Sequence, residues 1–271
     1  MYLAIDFGIT NTDIVISRDK DKKEFFSLAS EEISDSFFQK IFNHCNTHAK
    51  DINEIAITGG KSSSFKDELG NIPILKVNEI DAIGYGAKDL YDIKDESFVV
   101  ISAGTGTACV HGNINGFNHL GGISVGGGTL QGLSNILFNA SSPEQVNTLA
   151  LEGNKNNIDL LIGDVVNEIG SLYPEITASN FAQARNKDNF TKSDLASSLS
   201  NMVGEVIGTV SYLNALLCGV QRVYFIGRTS LNKIVKKGIE ERLKLANIQG
   251  HFIEGRQHGN VRGALKALFE K

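Results

Sequence analysis

Hydrophobic and polar positions alternate as short apolar runs broken by polar Gly/Thr turns, with stretches of helical spacing between them. Residues 2–5 form an apolar run that ends in Asp6-Phe7-Gly8-Ile9-Thr10-Asn11-Thr12, and residues 13–17 are again rich in Ile and Val. That pattern predicts strand, turn, strand. A third strand is expected at 25–28, after a charged turn at 19–23. Residues 34–49 place Phe37, Phe38, Ile41, Phe42 and Cys45 at helical spacing, with Ser34 or Asp35 as N-cap. Strands at 55–57 (stopped by Thr58-Gly59-Gly60) and 72–77, then a helix over about 79–90, suit a mixed sheet with helices packed on it.

Near residue 94 the pattern restarts. A strand at 98–101, the turn Ser102-Ala103-Gly104-Thr105-Gly106-Thr107, and strands at 108–111 and 117–120 repeat the opening unit. A period of roughly 96 residues is too long for a solenoid and predicts two similar α/β domains, 1–93 and 94–271, facing each other across a cleft. The second half adds helices at 129–138 and 143–151, a polar stretch at 153–157 before the segment 158–162, a long helix at 192–217 and a strand at 223–226 ending at Gly227. Helices at 231–246 and 257–269 bracket a last strand at 251–253.

With 271 residues there is chain for one large or two packed domains, and 41% apolar against 21% charged residues excludes a disordered or fibrous chain. The 28 Gly against 3 Pro lie in clusters, which points to places where backbone approaches something closely. A net charge of −5 without a basic block makes nucleic acid an unexpected partner. The three cysteines, Cys45, Cys109 and Cys218, are far apart and without C-x-x-C spacing, which fits a reducing cytosol. No basic, apolar leader opens the chain and no apolar run approaches the roughly 18 residues of a membrane span. A soluble, cytoplasmic protein is expected.

The turn Asp6-x-Gly8-x-Thr10-x-Thr12 sets a carboxylate at a strand end beside backbone amides and hydroxyls, the parts that hold a phosphate and a Mg²⁺ ion. Alone, it also reads as an ordinary hairpin turn. Gly104-Thr105-Gly106-Thr107 repeats the device on the duplicated unit, so one anion would be gripped from both sides. Gly126-Gly127-Gly128 precedes a helix, where backbone lies flat against a ring or phosphate and the helix N-terminus favours negative charge. Gly227 ends a buried-type strand, where open α/β sheets bind ligands. Glu79 opens a helix; its position serves equally for capping or for a general base. Gly60-Lys61-Ser62 lacks the earlier glycine of a Walker A loop, since that position is Ile55. His44 and His48 lack a third convergent ligand, which leaves a solvated helix face.

These segments resemble the phosphate-binding loops of the acetate and sugar kinase/Hsp70/actin superfamily and, within it, the type II pantothenate kinases. The resemblance rests on Thr58-Gly59-Gly60, Glu79-Ile80-Asp81-Ala82, Gly104-Thr105-Gly106-Thr107 and residues 120–133, and continues through Asn157-Ile158-Asp159-Leu160, residues 177–181 and residues 223–227. It implies two duplicated actin-like, ribonuclease H-like domains with mixed sheets and an interdomain nucleotide cleft. It further implies ATP- and Mg²⁺-dependent phosphorylation of the primary hydroxyl of pantothenate, the first step of coenzyme A biosynthesis. By the same resemblance Glu79 is the catalytic acid, Asp6 organises Mg²⁺, and Gly8, Ile9, Thr10, Asn11, Gly104, Thr105 and Gly106 hold phosphates. Gly126, Gly127, Gly128 and Gly227 border adenosine, Thr105 and His119 meet the substrate, and a homodimer forms through the long helix 192–217. Three positions depart from the family pattern: Ile9 for a Gly, Asp13 for a Lys and His119 for an Arg. The residues themselves leave open a kinase for another small hydroxylated acid or sugar, or a nucleotide-binding regulator or ATPase without transfer. An acyl-dehydratase activase is disfavoured because the cysteines are not clustered.

Overall fold

The computed structural model describes residues 1–18, 22–60, 62–166, 173–185 and 189–270. Part of the expected charged turn (residues 19–21) and Lys61 of Gly60-Lys61-Ser62 lie outside the described residues. The chain divides into two compact units. One comprises Met1–Val100, Val110–His119 and Ile253–Lys271; the other comprises Ile101–Cys109 and Leu120–Phe252.

The first unit opens with β1 (Tyr2–Phe7), β2 (Asn11–Ser17) and β3 (Lys23–Ala29), joined as antiparallel neighbours with Asp6 opposite Asp13 and Ile14 opposite Phe26. Helix α1 (Asp35–His44) starts at Ser34, whose hydroxyl accepts from the Phe37 amide at 3.2 Å. It stops five residues short of the expected end, because Asn46 turns the backbone to φ +49. β4 (Glu54–Thr58) pairs parallel with β1; β5 (Glu68–Leu69) and β6 (Ile72–Lys76) follow, and α2 (Glu79–Tyr91) leaves β6. The sheet order is β3-β2-β1-β4-β6-β5.

Strand alternation divides the core of this unit. Leu3, Ile5, Ile14, Ile16, Ile55 and Ile57 bury toward Phe37, Phe38, Ile41 and Phe42 of α1. Ala4, Val15 and Ala56 bury toward Ala82 of α2 and toward the C-terminal helix α8 (Gly259–Phe269), through Val261, Ala264, Leu265 and Leu268. The small residues on that face are what let two helices lie on it. A Cβ on Gly263 would stand 1.8 Å from the Ala82 carbonyl oxygen, so α2 and α8 meet backbone to backbone.

The second unit carries the distal parts of β7 (Phe98–Ala103), β8 (Thr107–Asn113) and β9 (Gly116–Ile123). Helices α3 (Gly127–Phe138) and α4 (Pro143–Glu152) follow. Within the segment 158–162, β10 (Leu160–Leu161) pairs with β11 (Thr177–Ser179), and the one-turn helix α5 (Ile162–Val165) follows. Helix α6 (Lys192–Leu217) is as long as its periodicity predicts; Thr191 and Asp194 cap its start reciprocally. β12 (Arg222–Ile226), α7 (Lys233–Leu245) and β13 (Gln249–His251) complete the unit. The expected strand at 251–253 lies two residues too late. β13 pairs with β12 from Gln249 to His251, and Phe252 leaves the ladder to stack on Phe225 at 4.4 Å.

The second sheet runs β9-β8-β7-β12-β13. Numbered within each repeat, both sheets have the strand order 3-2-1-4-5, apart from the extra edge strand β5. The duplication read from the sequence is thus a duplication of topology.

Candidate active site

In the first unit, β1, β4 and β6 are adjacent and parallel. Asp6 stands opposite Thr58, and the Val77 amide donates to Ile57 O at 2.8 Å, carrying the ladder one residue past β6. The carboxyl ends of neighbouring strands therefore present Asp6, Thr58-Gly59-Gly60 and Asn78-Glu79 along one sheet edge, where ligands of open α/β sheets bind. Asp6, Thr58 and Asp13 share the sheet face of Ala4, Ala56 and Val15, the face covered by α2 and α8.

Gly59 has φ +76, and a Cβ there would stand 2.3 Å from Asp6 Oδ1. Only glycine lets the backbone pass the carboxylate so closely. The Thr58 hydroxyl is buried without a hydrogen-bond partner among the described residues. Asp13, directly across from Asp6, brings a second carboxylate within about 5 Å of it, Cβ to Cβ. The Ser27 hydroxyl donates to Asp13 Oδ1 at 2.5 Å, and His258 Nδ1 lies 3.7 Å away, stacked on Phe25.

The β1–β2 turn projects outward. Ile9 is 80% exposed and Thr10 is exposed, while a Cβ on Gly8 would meet Asn11 O at 2.6 Å. Ser30, which no motif flagged, ties the turn down: its hydroxyl donates to Gly8 O at 2.6 Å and its amide to Thr10 O at 3.1 Å.

Glu79 is the first residue of α2 and is exposed. Asn78 performs the capping, its Oδ1 accepting from the Ile80 amide at 2.8 Å. Asn78 is thus the cap, and the Glu79 carboxylate stands in the first turn, where it also suits the helix dipole.

In the second unit the three Gly-rich segments form one cluster. The Gly127 amide donates to Gly104 O at 2.8 Å, the Gly128 amide to Thr105 O at 2.9 Å and the Gly104 amide to Gly106 O at 2.9 Å. Thr229, next but one to Gly227, donates its hydroxyl to Gly104 O at 2.7 Å. A Cβ on Gly126 would lie 2.8 Å from Gly104 O, and one on Gly127 would lie 2.6 Å from Thr229 Oγ1. These glycines let the start of α3 press against the β7–β8 turn, so the Gly127 and Gly128 amides face protein carbonyls. Gly104 itself has open space, the nearest atom to an added Cβ being Gly106 O at 3.9 Å.

His119 is exposed on β9. His44 ends α1 and His48 lies beyond it, so they do not share a helix face. Burial, aided at Cys45 by Glu24, pushes the Cys45 and Cys109 thiols up to about 11, which makes them poor nucleophiles. Among the described residues no group of three or more His, Cys, Asp or Glu side chains could hold a metal. A buried polar cluster also occupies the second unit: Asp159 Oδ1 accepts from the Phe181 amide at 2.9 Å and from the Ser198 hydroxyl, and Glu205 pairs with Arg242 at 3.0 Å. Burial raises the Asp159 carboxyl above the usual carboxylate range, against the lowering effect of those two hydrogen bonds and Lys155.

Comparison with known proteins adds the lineage. The family model described as Fumble matches residues 94–237. A type II pantothenate kinase of Bacillus thuringiensis subsp. konkukian (strain 97-27) is 31% identical over 278 residues, 98% of this chain and 96% of that protein. One from Staphylococcus epidermidis is 28% identical over 276 residues, 99% of this chain and 100% of that protein. Among solved structures, the activator of the 2-hydroxyisocaproyl-CoA dehydratase from Clostridium difficile with bound ADPNP aligns at TM-score 0.66 and 14% identity, covering 100% of this chain and 97% of that one. A ROK family glucokinase from Streptomyces griseus in complex with glucose and AMPPNP aligns at TM-score 0.64 and 12% identity, over 100% and 99%. At those identities the structural likeness shows a shared α/β fold. The sequence likeness runs the length of both chains, and on it this chain belongs to the type II pantothenate kinase family.

Proposed function

We propose that the protein transfers the γ-phosphoryl group of ATP to the primary hydroxyl of pantothenate, the first step of coenzyme A biosynthesis. The observation that carries this reading is the 31% identity to a type II pantothenate kinase over 98% of the chain. The edge formed by Asp6, Thr58 and Glu79 supplies the matching chemistry.

Mg²⁺ prefers oxygen donors and takes one or two carboxylates, the remainder coming from phosphate oxygens and water. Asp6 and Asp13 on one sheet face, with the unpartnered Thr58 hydroxyl opposite Asp6, fit that donor set. The ion, when bound, neutralises phosphate charge. Asp6 is the residue assigned to it, and Gly59 keeps that carboxylate clear of a side chain. Glu79, exposed and free of capping, accepts the hydroxyl proton of the acceptor. The turns at Gly8, Ile9, Thr10 and Asn11 and at Gly104, Thr105 and Gly106 receive the phosphates. Gly126, Gly127, Gly128 and Gly227 border the nucleoside, and Thr105 and His119 contact pantothenate. Phosphoryl transfer needs positioning and charge stabilisation more than covalent chemistry, so a solvent-exposed carboxylate suffices as base.

The same reading makes the protein a cytoplasmic homodimer. Its three cysteines are free thiols, as a reducing compartment keeps them, and no helix of the described residues is long and apolar enough to cross a membrane. The C-terminal end of α6 exposes Leu213, Leu216 and Leu217, an apolar stripe suited to a second copy.

The test is ADP release on addition of pantothenate, with a panel of sugars and hydroxy acids as competitors for the assignment. Pantothenate is expected to stimulate ADP formation, and Glu79→Gln is expected to lower kcat by about 10²–10⁴-fold. Absence of stimulation at millimolar pantothenate overturns the substrate, and full activity in the Gln variant overturns the base.

A further inference from the structure

A Gly-rich turn beside a helix N-terminus ordinarily binds phosphate with backbone amides. In the second unit several of those donors are turned toward the protein itself. The amides of Gly104, Gly127 and Gly128 are bonded to Gly106 O, Gly104 O and Thr105 O. The hydroxyls of Thr229, Thr107 and Thr129 donate to Gly104 O at 2.7 Å, Val125 O at 2.8 Å and Ser124 O at 2.9 Å. Much of the loops' donor capacity thus faces the protein.

A polyphosphate is strongly anionic and needs a compensating charge. Residues 102–107, 124–131 and 227–232, which make up the three converging loops, contain one charged side chain, Arg228. The next charge along the chain, Lys233, opens α7 and is exposed. Arg228 is half-buried, and both of its neighbours are anchored. Gly227 lies so close to β7 that a Cβ would stand 2.4 Å from Ala103 O, and Thr229 holds the β7–β8 turn through Gly104 O. The backbone of Arg228 is therefore fixed beside that turn. A guanidinium offers a planar fork of donors that matches phosphate oxygens, and partial burial reduces screening of its charge.

We propose that Arg228 is the side chain that holds the phosphate chain of the nucleotide in the second unit. The proposal rests on the ATP-dependent reading above, and it supplies the charge that the loop amides cannot.

Isothermal titration of the full chain with ATP, ADP and adenosine tests it. Arg228→Ala is expected to weaken ATP and ADP by about tenfold or more, the scale of a lost charge-assisted hydrogen bond, and to leave adenosine within about twofold. Arg228→Lys is expected to recover part of the loss, because it keeps the charge without the fork. Retained adenosine affinity also shows that the variant's loops are intact. Unchanged ATP and ADP affinity in Arg228→Ala overturns the assignment while nucleotide binding by the parent stands. A loss shared equally by adenosine in both the Ala and Lys variants overturns the phosphate role. Failure of the parent chain to bind any of the three overturns the nucleotide reading and Arg228's part in it together.

Discussion

Replacing Gly227 by Ala tests whether the loop cluster is set by backbone geometry. Gly227 has φ +93 and ψ 156, a region populated almost only by glycine, and occupying it with a side chain costs about 1–3 kcal/mol. The added Cβ would also stand 2.4 Å from Ala103 O, 2.6 Å from its carbonyl carbon and 3.0 Å from its nitrogen. All three are backbone atoms of a buried strand and cannot swing aside as a flexible side chain would, so overpacking adds about 1–3 kcal/mol. The combined loss, about 2–6 kcal/mol, is a large fraction of a typical domain's stability. At about 2 °C per kcal/mol for a chain of this size, melting falls by about 4–12 °C. Differential scanning calorimetry reads this directly, with Gly132→Ala as control. Gly132 lies inside α3 with nothing within 4 Å of an added Cβ, so alanine there is expected to raise stability by about 0.5–1 kcal/mol. A Gly227→Ala protein that melts within about 1 °C of the parent would refute the reasoning, since neither the strain nor the overlap would then be real.

Two further outcomes follow from the second unit. Because burial holds the Asp159 pKa above its unfolded value, the stability it contributes is present below the usual carboxylate pKa and lost as pH rises through the folded value. Asp159→Asn is therefore expected to gain stability relative to the parent between about pH 4 and about pH 8; urea midpoints at both ends check this, and a gain that shrinks with pH refutes it. Under the proposed homodimer, Leu216→Glu on the exposed end of α6 is expected to yield monomer where the parent elutes as dimer in size-exclusion chromatography with light scattering; an unchanged dimer mass refutes the role of that stripe.

The position of Asp13 shows how a residue that departs from the family pattern is accommodated. The resemblance drawn from the sequence implies a lysine at this position, and the chain carries a negative charge there, directly across from Asp6. The structure surrounds it with the Ser27 hydroxyl and His258, the latter from the segment just before α8. No local pattern connects residues 13 and 258; the contact exists because the last helix returns to the first sheet.

The apolar periodicity and the Gly/Thr turns determined much on their own: the duplicated strand–turn–strand unit, the full extent of α6, the start of α2 at Glu79 and the glycine segments that form the loop cluster. These features are local, set by spacing along the chain and by the few residues that tolerate tight turns. Tertiary structure alone decided that α8 packs on β1, β4 and α2. It also decided that β13 ends at His251 once Phe252 stacks on Phe225, and that Ser30 pins the first turn. It revised the meaning of Gly126, Gly127 and Gly128 as well, whose tight packing on the β7–β8 turn spends two of their amides and leaves Arg228 as the charge within those loops. Each of these depends on partners far apart in sequence, and spacing along the chain carries no information about which carbonyl an amide will meet.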